Sequence, residues 1–449
     1  MQHVPPDLLE RLARPGPRYT SYPTAAVFDG SIGPAEHAAA LARHGATGAP
    51  VSLYVHLPFC RTLCFYCACN VIITRRPGAA EDYLDLLERE ADLVAGALGR
   101  RARVTQLHLG GGTPTYLTPA ELRRLHGLLS ARFDLSAAEE MAVEVDPRST
   151  TVEQLETLAR LGWNRASFGV QDFDPDVQRA IHRVQSVEQT RALVEAARRL
   201  GFRGINVDLI YGLPRQRPET FARTLEAVVG LRPDRLALYS YAHVPWMRPA
   251  QARFERKGTR LPGADEKLAL LQQAVRAFAA AGYQHLGMDH FALPDDELTL
   301  ALERGALHRN FQGYTVRRAD ALVGLGVSAI SEVSGVFAQG EKDLPAYAAA
   351  LEAGRLPVAR GRALTADDEA RRRVILALMT GGAVPAALLA PFAAERPALD
   401  ALAQDGLVRW HPGGDLHVTP LGRAFVRNVA MVFDAYLPDR PVGRFSQTV

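Results

Sequence analysis

Apolar and polar positions along the chain alternate between two rhythms, short runs of apolar residues and longer stretches with helical spacing. "VSLYVHLP" (51–58) reads as a strand. "EDYLDLLEREADLVAGAL" (81–98) sets Tyr83, Leu87, Val94 and Leu98 on one helical face. The alternation then repeats. Strand-like "VTQLHLGGG" (104–112) precedes a helix over 119–132, and "MAVEVDP" (141–147) precedes one over 151–161. "RASFGVQ" (165–171) leads into helices through 200, "GINVDLIYGLP" (204–214) into a helix over 218–230, and "DRLALYSYAH" (234–243) closes the series. Strands alternating with helices predict parallel βαβ units, and six strands are too few for the closed eight-stranded barrel. The expected fold is α/β, an incomplete (β/α)6 barrel over 51–245.

The flanks break this rhythm. Residues 1–50 begin irregularly, with "RPGPRYTSYPT" too rich in Pro and Gly for a helix, and then give a helix over 34–46. Residues 246–363 read as a barrel extension and connector: a linker over 254–267, a helix over 267–281 and a strand over 283–291. Residues 364–449 read as a helical domain ending in helix, helix and a hairpin turned at "PGG", like a winged-helix module. DNA binding is disfavoured there, because basic residues are not concentrated in it.

Composition adds limits. The 449 residues are 47% hydrophobic with a net charge of +3, too weakly basic to argue for nucleic acid. No apolar run approaches the roughly 18 residues of a membrane span, and the N-terminus lacks a signal-peptide core. A soluble, cytoplasmic protein is expected, with no membrane or nucleic-acid partner.

All four cysteines lie in "CRTLCFYCAC", Cys60 to Cys69. Cysteines this close cannot staple distant parts of a long chain, so a thiolate ligand loop is the better reading. Structural zinc sites use two separated ligand pairs, and no second pair exists. Cys60, Cys64 and Cys67, spaced C-x3-C-x2-C, suit three corners of a 4Fe–4S cube with one iron left open. Cys69 is either a fourth ligand or a free thiol beside the site.

The remaining polar features fall at the predicted C-terminal ends of strands, where barrel chemistry gathers. "GGGTPT" (110–115) follows the second strand, Glu144 and Asp146 end the third, and Gln171 ends the fourth. Asp208 lies in the fifth, and Ala242–His243 ends the sixth. Glu144, Gln171, Arg183 and Asp208 together form a polar set suited to a ribose or an amino acid. Singly, each could be a cap or a loop anchor. Tyr54 and Tyr66 flank the cysteine loop, either as shields or as adenine platforms. His56 ends the first strand, and "HRNFQGYT" (308–315) reads as part of a lid or as a plain ordered loop.

These motifs resemble the radical S-adenosylmethionine (SAM) enzymes, and more closely the oxygen-independent coproporphyrinogen III oxidases. "RYTSYPT", "LYVHLPFC", "GGGTPTYL", "EVDPR", "GVQDF", "NVDLIYGLP", "YAHVPW", "GMDHFA", "LHRNFQGYT" and "GVSAIS" carry the resemblance, which runs from residue 18 into the tail "VFDAYL". The resemblance implies that Cys60, Cys64 and Cys67 ligate the cluster and that SAM binds its open iron. Tyr54, Tyr66, Gly111, Glu144 and Ile330 match the first SAM site. Gly112, Thr113, Gln171, Arg183, Asp208 and Ala242 match a second. Cys69 matches a non-ligand cysteine of the motif, and His56, Phe311 and Gln312 match positions near the active site. Tyr66 stands where the family often has Phe. The N-terminal segment would cover the barrel mouth. The implied reaction is oxidative decarboxylation of two propionates of coproporphyrinogen III to vinyls through a 5′-deoxyadenosyl radical, in a monomer served by an unidentified reductant and electron acceptor. Haem-carrying relatives of the superfamily are the alternative. They usually lack the fourth cysteine and the "RYTSYPT" segment, and this chain has both.

Overall fold

Six apolar runs become consecutive parallel strands: β1 (Val51–Leu57), β2 (Val104–Gly111), β3 (Glu140–Val145), β4 (Arg165–Gln171), β5 (Gly204–Tyr211) and β6 (Arg235–Ser240). Each pairs in parallel with the next. The structure is a computed structural model and describes residues 4–316, 319–437 and 445–448. Helices α1 (Pro34–Thr47), α2 (Ala79–Leu98), α3 (Pro119–Arg132), α4 (Val152–Arg160), α5 (Val187–Arg199), α6 (Pro218–Val229) and α7 (Ala264–Ala280) accompany the strands. Local sequence fixes their starts. Thr118 and Glu121 cap each other's backbone N–H at 3.3 and 2.7 Å, and Thr151 with Gln154 repeats the device at α4. The predicted face of α2 is buried: Tyr83, Leu87, Val94 and Leu98 belong to the main core with the inward residues of β1 and β2.

Three expectations change. First, a seventh parallel strand, β9 (Leu322–Leu325), lies against β1. Its four residues include Gly324 and are followed by Gly326, so its apolar signal is too short to read. Second, the single strand expected over 283–291 is two, β7 (Gln284–Gly287) and β8 (His290–Ala292), paired antiparallel. The chain reverses between them, where Met288 has φ 37°. Third, the linker expected over 254–267 contains most of a short helix, Ala252–Arg256, and the first turn of α7. Antiparallel strands β10 (Ile330–Val333), β11 (Val336–Gly340) and β12 (Val358–Ala363) extend the β9 edge. The sheet has twelve strands in the order β12-β11-β10-β9-β1-β2-β3-β4-β5-β6-β8-β7 and stays open.

The C-terminal part has its own core around α8 (Ala366–Thr380), α9 (Arg396–Gln404) and a three-stranded sheet, with the hairpin turned at the expected "PGG". The N-terminal segment divides. Ala40 and Leu41 of α1 join the main core, while Tyr19 and Tyr22 of "RYTSYPT" are buried in the C-terminal core. Tyr19 Oη donates to Asp434 (3.0 Å), Ala435 N donates to Tyr22 Oη (3.1 Å), and Arg427 donates to the Pro17 carbonyl (2.8 Å). Between the two tyrosines and the Pro17 anchor, Arg18 points the other way, to Asp289 and over the Tyr239 ring at 5.4 Å. No helix of the described residues is long and apolar enough to cross a membrane.

Candidate active site at the ends of the parallel strands

The loop after β1 and the ends of β2 to β6 enclose a cavity of about 290 Å³. Its wall includes Cys60, Cys64, Cys67 and Cys69, Tyr66, Gly111, Gly112, Thr113, Glu144, Gln171, Arg183 and Asp208. Sequence positions spread over 149 residues (60 to 208) therefore meet in one place. A second cavity inside the barrel shares Glu144, Ser167, Asp208 and Tyr239 with the first, and Gln312 lines it.

The four thiols are free, and each predicted ligand sulfur has a polar partner. Cys60 Sγ lies 3.4 Å from Thr113 Oγ1. Cys64 Sγ accepts from Arg148 Nη2 at 3.3 Å and from Arg183 Nη1 at 3.7 Å. Cys67 Sγ accepts from the Cys69 N–H at 3.4 Å. Hydrogen bonding by Cys69 pulls the Cys67 thiol down to about 7 and holds the Cys69 thiol well above its ordinary value. Cys69 thus stands as the donor, and Cys67 is the more readily ionised of the two. Burial instead pushes Cys60 up to about 11, against the Thr113 contact, and a metal would have to displace that proton.

The glycines after β2 let the backbone close on this loop. Gly111 has φ 112°, and a Cβ there would stand 2.6 Å from the His56 ring; one on Gly112 would stand 2.5 Å from the Pro58 carbonyl. Glu144 spans the floor. Its Oε2 accepts from Gly111 N at 3.1 Å, and its Oε1 lies 3.4 Å from His108 Nε2. Burial alone would raise the Glu144 carboxyl, but His108 and the Gly111 N–H outweigh it and keep the group ionised.

His56 does not line the cavity; it supports the loop. Its Nε2–H donates to the Asn70 carbonyl (2.9 Å), which leaves Nδ1 to accept from Tyr54 Oη–H (3.1 Å). Burial lowers the imidazole and raises the Tyr54 phenol, so both stay neutral in these roles. Tyr54 also stacks on His108 at 5.9 Å. Arg183 is more committed than its expected SAM contact suggests: it donates to both oxygens of Asp146 (3.2 and 3.1 Å) and to the Gly169 carbonyl. Its buried Nε has no partner among the described residues. Gln171 ends β4 at φ 68°, past a register shift, which turns its side chain toward Gly169 and Arg183. Ala242, Phe311 and Ile330 line neither cavity. The Ala242 carbonyl accepts from Gln251 (3.2 Å), Phe311 packs on Phe337 (5.9 Å), and Ile330 begins β10.

The sequence pattern included Asp146 and the motif "EVDPR" but gave Arg148 and Gln251 no role. Arg148 stands in "EVDPR" and reaches Cys64, and Asp146 of the same motif anchors both arginines. Gln251, fully buried, donates to the Tyr66 carbonyl from 185 positions away. Only the fold could reveal it.

A cysteine triad, a glycine turn and an acidic floor at the open end of parallel strands define a radical SAM site, and the profile of the Radical SAM superfamily matches residues 54–228. The oxygen-independent coproporphyrinogen III oxidase of Pseudomonas aeruginosa is 45% identical, covering 99% of this chain and 98% of its own length. That of Escherichia coli is 44% identical over 98% of both. The solved structure of coproporphyrinogen III oxidase from Escherichia coli, described as a radical SAM enzyme, superposes with a TM-score of 0.89 at 43% identity, covering 97% of this chain and 99% of that one. The chain belongs to the oxygen-independent coproporphyrinogen III oxidase family.

Proposed function

We propose that Cys60, Cys64 and Cys67 hold the 4Fe–4S cluster of this family, with SAM on its open iron and a second SAM beside it, in the cavity described above. The reaction is the oxygen-independent oxidative decarboxylation of two propionate side chains of coproporphyrinogen III to vinyls, giving protoporphyrinogen IX. The observation that carries the reading is the meeting of three hydrogen-bonded thiols with the glycine turn and Glu144 around one cavity. The residues fit such cofactors: cations and N–H groups face the sulfurs, and the buried Arg183 Nε and Gln312 Oε1 await partners. Bound there, the reduced cluster and SAM supply a 5′-deoxyadenosyl radical able to take a propionate β-hydrogen whose pKa lies far outside the reach of protein bases.

The chain's own residues bind and orient. Tyr66, Gly111 and Glu144 serve the first SAM from the cavity wall; Tyr54 and Ile330, matched to the same site by the family resemblance, line neither cavity. Gly112, Thr113, Gln171, Arg183 and Asp208 serve the second from the same wall; Ala242, matched to it by the family resemblance, lies outside that wall with its carbonyl held by Gln251. The Tyr54–His56–Asn70 hydrogen bonds hold the backbone next to Cys69, while Gln312 lines the second cavity and Phe311, beside it in the chain, packs on Phe337. The chain works as a cytoplasmic monomer with an external electron donor and acceptor. Anaerobic reconstitution with iron and sulfide, followed by reductant, SAM and coproporphyrinogen III, tests the reading. Vinyl products with 5′-deoxyadenosine are expected; tight haem binding without SAM cleavage would overturn it.

Asp208 gives a pH signature. Burial, with Glu144 nearby, raises its carboxyl to about 6 despite hydrogen bonds from Ser167 (2.6 Å) and Asn206 (2.9 Å). It is charged above that value and neutral below it. A ligand using the carboxylate as acceptor loses affinity as pH falls, roughly tenfold per unit below 6. The KM for SAM should rise on that slope in the parent enzyme and stay high and flat in Asp208→Asn. A flat parent profile from pH 8 to 5 would remove Asp208 from the site.

The propionates need cations not already neutralised. The arginines inside the barrel do not qualify, because Arg165 pairs with Glu140 and Arg235 with Asp296, each at 2.9 Å. Lys342 is a better candidate: its carbonyl accepts from Asn70 (3.0 Å), which sets it beside the Cys69 loop. Burial, then the charges of Arg360 and Arg248, lower its ammonium. Lys342→Glu and Arg360→Glu should each raise the KM for coproporphyrinogen III about tenfold, as expected for one lost charge-assisted contact. Substrate-free SAM cleavage should be unchanged, and an equal loss in that assay would count against the assignment.

A further inference from the structure

The outer side of the cysteine loop carries a surface that the reaction above does not use. Phe65, between Cys64 and Tyr66, turns away from the main cavity and lines a separate surface pocket. Its ring stacks on His182 (4.9 Å, 12° between planes) and lies under the Arg253 guanidinium at 4.5 Å. The backbone holds it there: Phe65 N donates to the Ile181 carbonyl (2.9 Å), and His182 Nδ1 donates to the Leu63 carbonyl (2.8 Å). Arg179, Arg215, Arg253 and Lys257 line this pocket, with Asp176 as its one acid. Asp176 pairs with Arg179, and nearby Glu255 pairs with His243 at 2.9 Å. Arg215, Arg253 and Lys257 have no acidic partner among the described residues. The two segments that touch the loop also expose Val184 (64%), Trp246 (55%) and Met247 (55%), half of the exposed large apolar side chains among the described residues.

We propose that this face is where the electron donor docks, and that the donor is a small acidic one-electron carrier protein. The inference rests on the cluster assignment. Each SAM cleavage needs one electron from outside, and the cavity side of the loop is taken up by cofactor and substrate. The opposite side offers the short path, through the loop that contains Cys64. An aromatic ring set among three unpaired cations in a surface pocket, with exposed apolar side chains on the adjoining segments, suits a small, transient interface in which charge steers encounter. In the step itself one electron leaves the carrier's reduced cofactor and enters the cluster. The carrier is oxidised by one electron and the cluster reduced by one, with no bond made or broken and no proton required.

Flavodoxin, an acidic flavin carrier, serves as the probe. Its binding to the reconstituted protein is measured by calorimetry at low and high salt. Cluster reduction and 5′-deoxyadenosine formation are then followed with reduced flavodoxin and, separately, with dithionite. Arg253→Glu and the double variant Arg215→Glu/Lys257→Glu should each weaken flavodoxin binding about tenfold or more and remove most of its salt dependence. They should slow reduction by flavodoxin in proportion while the dithionite rate is unchanged. Unaltered flavodoxin binding in both variants would overturn the proposal, as would a parent protein reduced by dithionite but neither bound nor reduced by flavodoxin. Equal losses with both reductants would also overturn it, by showing that the residues support the loop instead. Absence of SAM cleavage with either reductant in the parent would instead strike the cluster assignment.

Discussion

Replacing Cys64 with Ser is expected to remove the cluster and all turnover, whereas Cys69→Ser is expected to keep its iron. Cys64 is the buried member of the triad, and its sulfur faces two guanidiniums, Arg148 at 3.3 Å and Arg183 at 3.7 Å. Those cations offset the charge of a thiolate and of the cluster it would hold. A serine hydroxyl neither ionises near neutral pH nor offers the soft donor iron prefers. After anaerobic reconstitution the parent should carry about four irons per chain, and Cys64→Ser close to none. Cys69 differs because it donates: its backbone N–H reaches Cys67 Sγ at 3.4 Å, and its thiol is held protonated by the same neighbour. Serine keeps both donors, so the iron should remain while the sulfur's own contribution is lost. Iron lost as fully in Cys69→Ser as in Cys64→Ser would make Cys69 a ligand.

Glu144→Ala should cut kcat/KM for SAM by about 10²- to 10⁴-fold while leaving cluster iron in place. The side chain takes one hydrogen bond from Gly111 N (3.1 Å) and one from the His108 side (3.4 Å), and it fills the space beneath Gly110, where a Cβ would stand 2.8 Å from its Oε1. Its loss removes an anion from a buried floor and orphans the Gly111 N–H. Each charge-assisted hydrogen bond of this kind is worth about 1.5–3 kcal/mol, and two together give the fold-change stated. Glu144→Gln should recover part of the loss, because an amide oxygen can still accept from Gly111. Iron content and kcat/KM measured on the same samples separate this from collapse of the loop. Loss of both together would make Glu144 structural.

The six-strand rhythm was legible because each parallel strand carries a short run of buried apolar residues and the helices between them carry apolar stripes. The triad and the rim residues were legible because barrel chemistry gathers at strand ends. What stayed hidden was short or distant. β9 has four residues, one a glycine, and no periodicity can mark so little chain. The reversal at Met288 had only Gly287 and Asp289 as sequence cues inside an otherwise strand-like run, and it is made by the positive φ of Gly287 and Met288. Gln251 reaches Tyr66, and Asn70 reaches Lys342 from 272 positions away, contacts that no local pattern encodes. Arg183 shows the converse: its position was readable, but its grip on Asp146 and Gly169 was not.

The central claim is that this chain directs a radical at the propionate β-carbon. Coproporphyrinogen III deuterated at that carbon tests it most directly, with reconstituted protein, reductant and SAM under anaerobic conditions. The account predicts deuterium in the 5′-deoxyadenosine formed, rising in step with vinyl product. Unlabelled 5′-deoxyadenosine accompanying full vinyl formation would contradict it.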